Sequence, residues 1–334
     1  MVPPEHTPSL GARVVVRHRL PDRDPATGAH LTDVVGELVA ADDVRLVVRS
    51  RRGDVTVPRS AVTTLKEVPP RPSRRGAPHR ALSATDLEHV MVGAWPAEET
   101  ARLGDWVLRS SGGFTQRANS VLTAGDPGVP LERAVESVEA WYAERGRPSW
   151  VTVPLPHGGP VEADPLGALL LQRGYARRVP TMCLTASVRE VLRSTAGQDA
   201  PPVRTGTGLD DAWFAAYGAY RDADPRHARA VLTGSPEQVF AAVDASDGPV
   251  AIGRLGVAAG WGGVAAMWTA PDHRRCGLAT AVLGALAAAA AERGVRSLHL
   301  QADADNPGAL ATYRRHGFVP HHDYVTLRRP VQPS

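Results

Sequence analysis

The feature that most constrains this chain is residues 264–280, where an apolar run is followed by a short loop and then by a long alanine-rich segment. The run 264–269 has the length and composition of a buried strand, and Pro271 ends it. The alanine-rich segment favours a helix because alanine has the highest helix propensity. The sequence therefore predicts a strand, a loop and a helix in succession, which is typical of α/β proteins.

The loop carries the residues expected around a bound phosphate. The first N–H groups of a helix have no intrahelical partner and lie at the positive end of the helix dipole. Gly277 and Ala279 leave these groups open to an anion, and Arg274 and Arg275 add positive charge. The stretch contains neither the Gly-x-Gly-x-x-Gly of dinucleotide sites nor the Gly-Lys-Ser/Thr of a P-loop. It therefore predicts a phosphate site of another kind.

A second motif follows the alanine-rich helix. Residues 297–302 alternate between polar and apolar side chains, which indicates a strand. Asn306 suits the N-cap of a further helix, Pro307 suits its first turn, and Gly317 suits the position just after its end. The spacing predicts a short helix between these residues and a last strand at 324–327.

Together the two motifs resemble those of the GNAT superfamily of acyl-CoA-dependent N-acyltransferases. The matching patterns are the Arg-x-x-Gly-x-Ala that begins at Arg274, the Asn-x-x-Ala that begins at Asn306 and the Tyr-x-x-x-Gly-Phe that begins at Tyr313. The resemblance covers about residues 200–330. It implies a mixed sheet that opens after its fourth strand, acetyl-CoA as co-substrate, no metal, and direct transfer of the acetyl group to a primary amine in a ternary complex.

The resemblance also implies roles for individual residues. The fourth strand would bind the pantetheine arm along its free edge, the loop would bind the pyrophosphate, and Tyr313 would give a proton to the leaving thiolate. The residues expected at the acyl-CoA site are Met267, Trp268, Thr269, Arg274, Arg275, Gly277, Leu278, Ala279, Thr280 and Asn306. The general base is left open among Asp272, His299, Asp303 and Asp305.

The preceding part of the chain repeats this organisation. The letters Ala-Glu-Arg-Gly end a predicted helix at 143–146 and another at 291–294, and a predicted strand follows each. Further along, each copy has a helix that ends in glycine and an aromatic residue, Tyr175 in one copy and Phe318 in the other. These parallels indicate an internal duplication. The two copies, here called the first lobe and the second lobe, are residues 81–190 and 200–330.

The first lobe lacks the residues expected at an acyl-CoA site. Alignment on the shared Ala-Glu-Arg-Gly places Asp126 at the position of Arg274, and Leu170 takes the position of Tyr313. An aspartate repels a pyrophosphate, and a leucine has no proton to give. We therefore expect the first lobe to be a degenerate GNAT-like lobe.

A degenerate lobe can still line the acceptor cleft. The segments 106–109 and 114–121 are candidate strands with polar residues that could face the acceptor. Arg117 and Asn119 are the candidate substrate-binding residues, and plain surface or structural roles are the alternative for both.

Residues 1–68 contain five short β-prone segments separated by turn-forming residues. This pattern predicts a small all-β barrel. It resembles the Src-homology-3-like barrels in architecture, which carries no residue-level function. Residues 69–80, rich in proline and arginine, predict a linker. The predicted strands are 13–17, 34–40, 44–49, 53–58 and 62–65.

Composition narrows the class of protein. The net charge of +3 divides into +5 over residues 1–80 and −2 over the rest, so a nucleic-acid partner is open but not favoured. Two cysteines, together with no membrane-length apolar stretch and no signal-peptide pattern, favour the cytoplasm. His321, His322 and Asp323 are adjacent on a predicted strand and should point to alternate faces, which disfavours a metal site there.

These observations combine into one interpretation with three alternatives. The expected fold is α/β with a mixed sheet, made of tandem GNAT-like lobes preceded by a small all-β barrel. The expected function is N-acetyl transfer from acetyl-CoA to a small-molecule or peptide amine, with no membrane partner and with homodimer formation left open. The alternatives are mycothiol-synthase-like acetylation of an amino-sugar thiol, a modifier tethered to nucleic acid or protein by the basic barrel, and a non-catalytic acyl-CoA sensor.

Overall fold

A computed structural model of the chain divides it into two compact units, residues 1–71 and residues 72–334. Each unit is described by itself. The residues that the structure describes are 13–21, 30–50, 53–67, 77–197, 202–221 and 224–329. Most of the predicted linker lies outside them, and Pro78–Arg80 forms a single 3-10 turn.

The first unit is a five-stranded antiparallel sheet around a small apolar core. Its strands are β1 (Arg13–Arg19), β2 (Leu31–Ala41), β3 (Arg45–Ser50), β4 (Gly53–Pro58) and β5 (Val62–Glu67), in the order β4-β3-β2-β1-β5. A 3-10 turn at Arg59–Ala61 joins β4 to β5. Alternate residues such as Val14, Val16 and Leu38 are fully buried, as expected for strands with one face on a core. All five predicted strands are present.

The first lobe occupies the beginning of the second unit. Its elements are α1 (Ala84–Ala94), β6 (Glu99–Leu103), β7 (Trp106–Ser110), β8 (Val121–Leu122), α2 (Leu131–Ala143), β9 (Trp150–Leu155), α3 (Pro165–Gln172), β10 (Ala176–Arg177), β11 (Thr181–Ser187) and α4 (Val188–Thr195). The strand predicted over 114–121 is wrong, because Arg117–Asn119 is a 3-10 turn and only its last residue enters β8.

The second lobe follows with a longer antiparallel run. Its elements are β12 (Arg204–Gly206), α5 (Asp211–Gly218), α6 (Pro225–Thr233), β13 (Glu237–Ala245), β14 (Gly248–Ala258), β15 (Trp261–Thr269), α7 (Leu278–Glu292), β16 (Ser297–Asp303), α8 (Pro307–Arg315) and β17 (Val319–Arg328). None of the helices among the described residues is both long enough and apolar enough to span a bilayer.

The two lobes share one twelve-stranded mixed sheet because they exchange their last strands. The order is β12-β13-β14-β15-β16-β11-β17-β9-β8-β7-β6, with β10 paired beside β17. Strand β11 of the first lobe pairs with β16 of the second, and β17 of the second pairs with β9 of the first. The exchanged strands β11 and β17 pair with each other. Separating the lobes would therefore break backbone ladders as well as side-chain packing.

Helix α7 covers the second lobe's side of this sheet. Its alanine-rich sequence lets neighbours approach closely: a Cβ atom at Gly284 would lie 2.9 Å from the Oγ1 atom of Thr195 on α4. Larger residues at the sheet side, among them Leu283 and Leu286, are fully buried. Truncating either to alanine would cost about 2–5 kcal/mol, the usual range for such core cavities. This packing fixes the beginning of α7 relative to the strands.

Candidate active site

A wedge opens in the sheet between β15 and β16. These parallel strands pair only from Trp261–Ser297 to Val264–Leu300. Beyond that point β15 continues to pair with β14 as far as Thr269, while β16 continues to pair with β11. Residues 261–264 are buried and residues 265–269 are half-buried, so exposure rises where the pairing ends. One backbone edge of β15 is therefore unpaired along Met267, Trp268 and Thr269.

A bulge in β15 lies at the start of this wedge. Arg254 of β14 pairs with Ala265, whereas Ile252 pairs with Trp268, so β15 has one extra residue in this interval. Ala266 has a φ of 53°, a left-handed conformation that costs a non-glycine residue about 1 kcal/mol. Because a bulged strand bends locally, the bulge accounts for the departure of β15 from its neighbour.

The predicted phosphate loop connects β15 to α7. Gly277 is the N-cap of α7 with a φ of 79° and gives no side-chain cap, so the N–H groups of the first helical turn stay available. Arg275 also has a positive φ, 63°. The Nε atom of Arg274 donates to the carbonyl of Thr269 at 3.3 Å, which closes the loop onto the end of β15. Among residues 274–280, Leu278 and Thr280 are buried, Ala279 is half-buried and the others are exposed.

A buried histidine connects the loop to α8. The Nε2 atom of His316 lies 3.0 Å from the Oγ1 atom of Thr280, and its Nδ1 atom lies 3.1 Å from the Oγ atom of Ser194. Burial lowers the pKa of His316, and the charge of Arg315 adds to the effect. The Thr280 side chain is therefore engaged inside the fold, and only its backbone N–H remains for a ligand.

Tyr313 lies on α8. Its ring packs on Phe318 at 5.7 Å between centroids, and burial raises the pKa of its phenol to about 12. Its hydroxyl has no hydrogen-bond partner within the described part of the chain. Tyr313 is an electrostatic neighbour of Tyr220, which stacks on Trp268 of β15 at 5.6 Å. These contacts bring Tyr313 close to the free-edge segment of β15.

Asn306 begins α8 as predicted. Its Oδ1 atom accepts from the backbone N–H of Ala309 at 3.1 Å, the usual N-cap bond. The side chain is exposed, and its amide nitrogen remains available. A contact of Asn306 with the pantetheine or with the neighbouring loop stays a prediction.

A small cavity of about 10 Å³, room for one water-sized group, lies at the closed end of the wedge. The first lobe covers it with α1 and with the turn that carries Arg117. Its lining residues are Met91, Ala94, Trp95, Arg117, Gly263, Val264, Ala265, His299, Leu300 and Gln301.

Three polar atoms around this cavity are buried and have no hydrogen-bond partner among the residues that the structure describes: Nε of Arg117, Nε2 of His299 and Oε1 of Gln301. Burial lowers the pKa of His299 to about 3, with a smaller contribution from the charge of Arg117, so the imidazole is neutral. Buried polar atoms are almost always hydrogen-bonded in proteins. Three unpartnered atoms around one cavity therefore point to a bound group that completes them.

Asn119 has a different setting from Arg117. Its Oδ1 atom accepts from the N–H groups of Ser111 and Gly113, and its Nδ2 atom donates to the carbonyls of Phe114 and Thr115. All these bonds hold the loop that precedes Arg117. The geometry gives Asn119 a positioning role in this loop, and its contact with an acceptor stays a prediction.

The candidate general bases differ in their exposure and in whether they line the cavity. Asp272, Asp303 and Asp305 are exposed, and Asp303 accepts from the Thr181 hydroxyl at 3.1 Å. His299 is the candidate that lines the cavity.

The side chains of His321 and His322 on β17 do not have the directions that the sequence predicts. A register shift opposite Cys183 and Leu184 places a bulge in β17, and it brings the Nδ1 atoms of His321 and His322 to 2.8 Å. They therefore do not point to opposite faces, as strict alternation predicts. Asp323 instead contacts His157.

The bulge also completes a buried group of metal-ligating side chains. Ligand atoms of Glu88, Cys183 and His322 lie within 4.8 Å of one another. His322 Nε2 contacts Glu88 Oε1 at 2.9 Å, and burial raises the pKa of the Cys183 thiol. The contact between His322 and Glu88 satisfies one ring nitrogen and one carboxylate oxygen of this group. The absence of a metal stays a prediction.

Comparison with known families identifies the family to which the chain belongs. Residues 83–327 match the family described as "Probable histone acetyltransferase Rv0428c C-terminal", and residues 8–66 match "Rv0428c N-terminal Sm-like domain". The chain belongs to this family of GNAT-type acetyltransferases. Its N-terminal sheet is the Sm-like domain of the family, which matches the expected small barrel in architecture.

Two relatives of known sequence are named as acetyltransferases. The "Probable histone acetyltransferase Rv0428c" of Mycobacterium tuberculosis is 30% identical over 219 residues, which cover 63% of this chain and 60% of that protein. The match thus spans less than two thirds of that relative. The "Uncharacterized N-acetyltransferase YobR" of Bacillus subtilis is 26% identical over 70% of this chain and 94% of its own length.

Solved structures share the fold. A GCN5-related N-acetyltransferase from Kribbella flavida covers 74% of this chain and 96% of its own, with 21% identity and a TM-score of 0.54. A tandem GNAT protein from the clavulanic acid biosynthesis pathway covers 75% of this chain and 89% of its own, with 18% identity and a TM-score of 0.52. The second similarity agrees with the two-lobe arrangement.

Proposed function

We propose that the chain is an N-acetyltransferase that uses acetyl-CoA as donor and a primary amine as acceptor. The observation that carries the proposal is the wedge between β15 and β16, which joins the uncapped start of α7 to the cavity at His299. It offers separate positions for an anionic head, an extended arm and a reacting end. Tyr313 lies beside the strand that forms one wall of this wedge.

Backbone groups form most of the proposed acetyl-CoA site. The N–H groups of Gly277, Leu278 and the following residues provide uncommitted donors for a pyrophosphate, and Arg274 and Arg275 provide charge. The unpaired edge of β15 along Met267 to Thr269 provides donors and acceptors for the amides of an extended arm. Backbone groups are held rigidly, so little ordering entropy is lost on binding.

The chemistry needs a neutral amine, since an alkyl ammonium has no lone pair to attack with. The amine nitrogen forms a bond to the acetyl carbon, and the carbon–sulfur bond of the thioester breaks. The nitrogen loses one proton to a base or to water. The thiolate takes one proton from the Tyr313 hydroxyl, which the raised pKa keeps protonated until the thiolate forms.

The experiment that tests the proposal measures amine-dependent release of CoA thiol, with mass spectrometry of the acetylated product. The panel includes small amines, an amino-sugar thiol, and lysine peptides because the M. tuberculosis relative is named a histone acetyltransferase. Tyr313→Phe should lower kcat by about 100-fold or more, the usual effect of losing a general acid. Tyr175→Phe, which removes a buried hydroxyl from the first lobe, is the matched control.

Three outcomes separate the alternatives. Transfer to amines that is lost in Tyr313→Phe supports the proposal. Binding of acetyl-CoA without transfer to any acceptor favours a sensor. Transfer confined to nucleic-acid-bound or protein acceptors, and weakened by salt, favours a modifier tethered by the Sm-like domain.

A further inference from the structure

We infer that Arg117 of the first lobe binds a carboxylate of the acceptor, with one carboxylate oxygen in the water-sized cavity at the closed end of the wedge. The acceptor is then an amino acid or a molecule with an amine and a carboxylate close together. The inference rests on the proposed function and adds the acceptor class to it.

The first support is a group of three neighbouring arginines of which only one has an unpartnered buried nitrogen atom. Arg117, which is half-buried, is an electrostatic neighbour of the buried Arg109 and Arg254. None of the ion pairs among the described residues includes any of the three, although the buried carboxylate of Glu88 is an electrostatic neighbour of Arg109. Arg109 donates to the carbonyl and hydroxyl of Ser120. Arg254 donates to the carbonyls of Leu232 and Ala94 and to the Ser235 hydroxyl. Neutral acceptors therefore satisfy two of the three guanidinium groups.

Arg117 is the group left open. Its Nε atom is buried without a partner, and its guanidinium lies 5.5 Å from the centre of the Trp95 ring. Arg254 lies 5.4 Å from the same ring, so Trp95 contacts two cations. Leaving a buried nitrogen atom of a charged group without a hydrogen-bond partner is costly. An anion in the cavity would remove this cost, and the planar Arg117 fork suits a carboxylate.

The second support is the loop that presents Arg117. Thr115 has a φ of 54°, and its hydroxyl accepts from Trp95 Nε1 at 3.1 Å. The four hydrogen bonds of Asn119 fix the remaining backbone of this loop. Strained backbone held by its surroundings clusters at functional sites. The backbone that carries Arg117 is therefore fixed before any acceptor arrives.

The third support is the kind of hydrogen bond that the other two unpartnered atoms can form. Oε1 of Gln301 can only accept, and it suits an amine N–H. His299 is a neutral imidazole whose Nε2 atom is free to hydrogen-bond. Gln301 and His299 are on β16, and both line the cavity together with Arg117. The residues around the cavity thus offer a cation for a carboxylate oxygen and an acceptor for the neighbouring amine.

The test compares matched acceptors that differ by one carboxylate: L-alanine with ethylamine, and L-lysine with cadaverine. Acetyl-CoA binding is titrated separately. We expect kcat/KM to favour the carboxylate member of at least one pair by about 10- to 100-fold, the usual value of a charged hydrogen bond. Arg117→Gln should lower this ratio to near one by raising KM for the amino acid, and Arg117→Lys should restore part of it. Arg102→Gln, an exposed arginine of the first lobe, is the matched control and should leave the ratio unchanged.

A wild-type measurement avoids dependence on the variants. N-acetylalanine should raise the melting temperature more than N-ethylacetamide, its counterpart without the carboxylate. Equal rates within every pair would overturn the inference while the proposed function stands. An equal loss of kcat for both members in Arg117→Gln would also overturn it, because that result assigns Arg117 to the reacting carbonyl. If acetyl-CoA does not bind at all, both the proposed function and this inference fail.

Discussion

The Nε2 atom of His316 lies 3.0 Å from the Oγ1 atom of Thr280. This contact connects the end of α8, the helix that carries Tyr313, to the first turn of α7, where the phosphate site is proposed. Ser194, which follows the exchanged strand β11, contacts the other ring nitrogen at 3.1 Å. One imidazole therefore joins three segments that all contribute to the second lobe's site.

The first prediction concerns this imidazole. His316→Ala should lower the free energy of unfolding by about 1–3 kcal/mol, because it leaves the buried Thr280 hydroxyl without a partner. The Ser194 hydroxyl loses one contact but still donates to the Val191 carbonyl. The substitution should also weaken acetyl-CoA binding, since the first turn of α7 loses its support. Chemical denaturation and calorimetry check both effects. His273→Ala, an exposed histidine near the same loop, is the control, and an equal effect of both variants would contradict the role assigned to His316.

The second prediction concerns stability in acid. Burial lowers the pKa of His299 to about 3, and it also lowers the pKa values of His79, His316 and His321. Their neutral forms are favoured by folding, so this stability is complete above pH 6.5 and is lost as the pH falls from there towards the folded pKa values. Each such histidine can contribute a slope of about 1.4 kcal/mol per pH unit. Denaturation curves between pH 7.5 and 4.5 should show a shallower slope for His299→Gln than for the wild type, and identical slopes would contradict this account.

The third prediction concerns the pH dependence of turnover. The pKa of Tyr313 is raised to about 12, so its phenol should remain protonated throughout pH 7–10. Tyr313 should therefore cause no fall in kcat in this range, while kcat/KM should rise with pH as the amine acceptor loses its proton. Rate profiles of the wild type and Tyr313→Phe check this. A fall in wild-type kcat with a midpoint near pH 10, absent from Tyr313→Phe, would show a tyrosine of ordinary pKa instead.

Local motifs made much of the second lobe predictable. Gly277 and Gly317 both have positive φ values, 79° and 84°, which is the reason a glycine is found at each position. Asn306 caps α8 through its side chain as its residue type indicates. Each of these features depends on a few neighbouring residues, so the sequence carries it directly. Helix α1 escaped prediction although Ser83 accepts from the Asp86 N–H, a cap that its residue types could have signalled.

Features that depend on distant parts of the chain could not be predicted. The exchange of β11 and β17 pairs residues such as Thr181 and Tyr324, which no local pattern connects. The bulge that joins His321 to His322 arises from that pairing. Residues 260–263 contain three glycines, which favour a turn, yet the turn lies at Ala259 and Gly260 because Trp261 already begins β15. The unpartnered Nε atom of Arg117 likewise could not be predicted, because it depends on which residues of distant segments surround the side chain.

The measurement that tests the central claim most directly is calorimetric titration of acetyl-CoA into the wild type, Gly277→Glu and Gly294→Glu. Both glycines flank α7 with similar positive φ values, 79° and 71°, so both variants carry the same backbone strain and the same new charge. Only Gly277 lies at the proposed pyrophosphate site. We predict that the wild type and Gly294→Glu bind with similar Kd, and that Gly277→Glu binds at least about 100-fold more weakly, through lost charged hydrogen bonds and added repulsion. Undiminished binding by Gly277→Glu, or no binding by the wild type, would contradict the account.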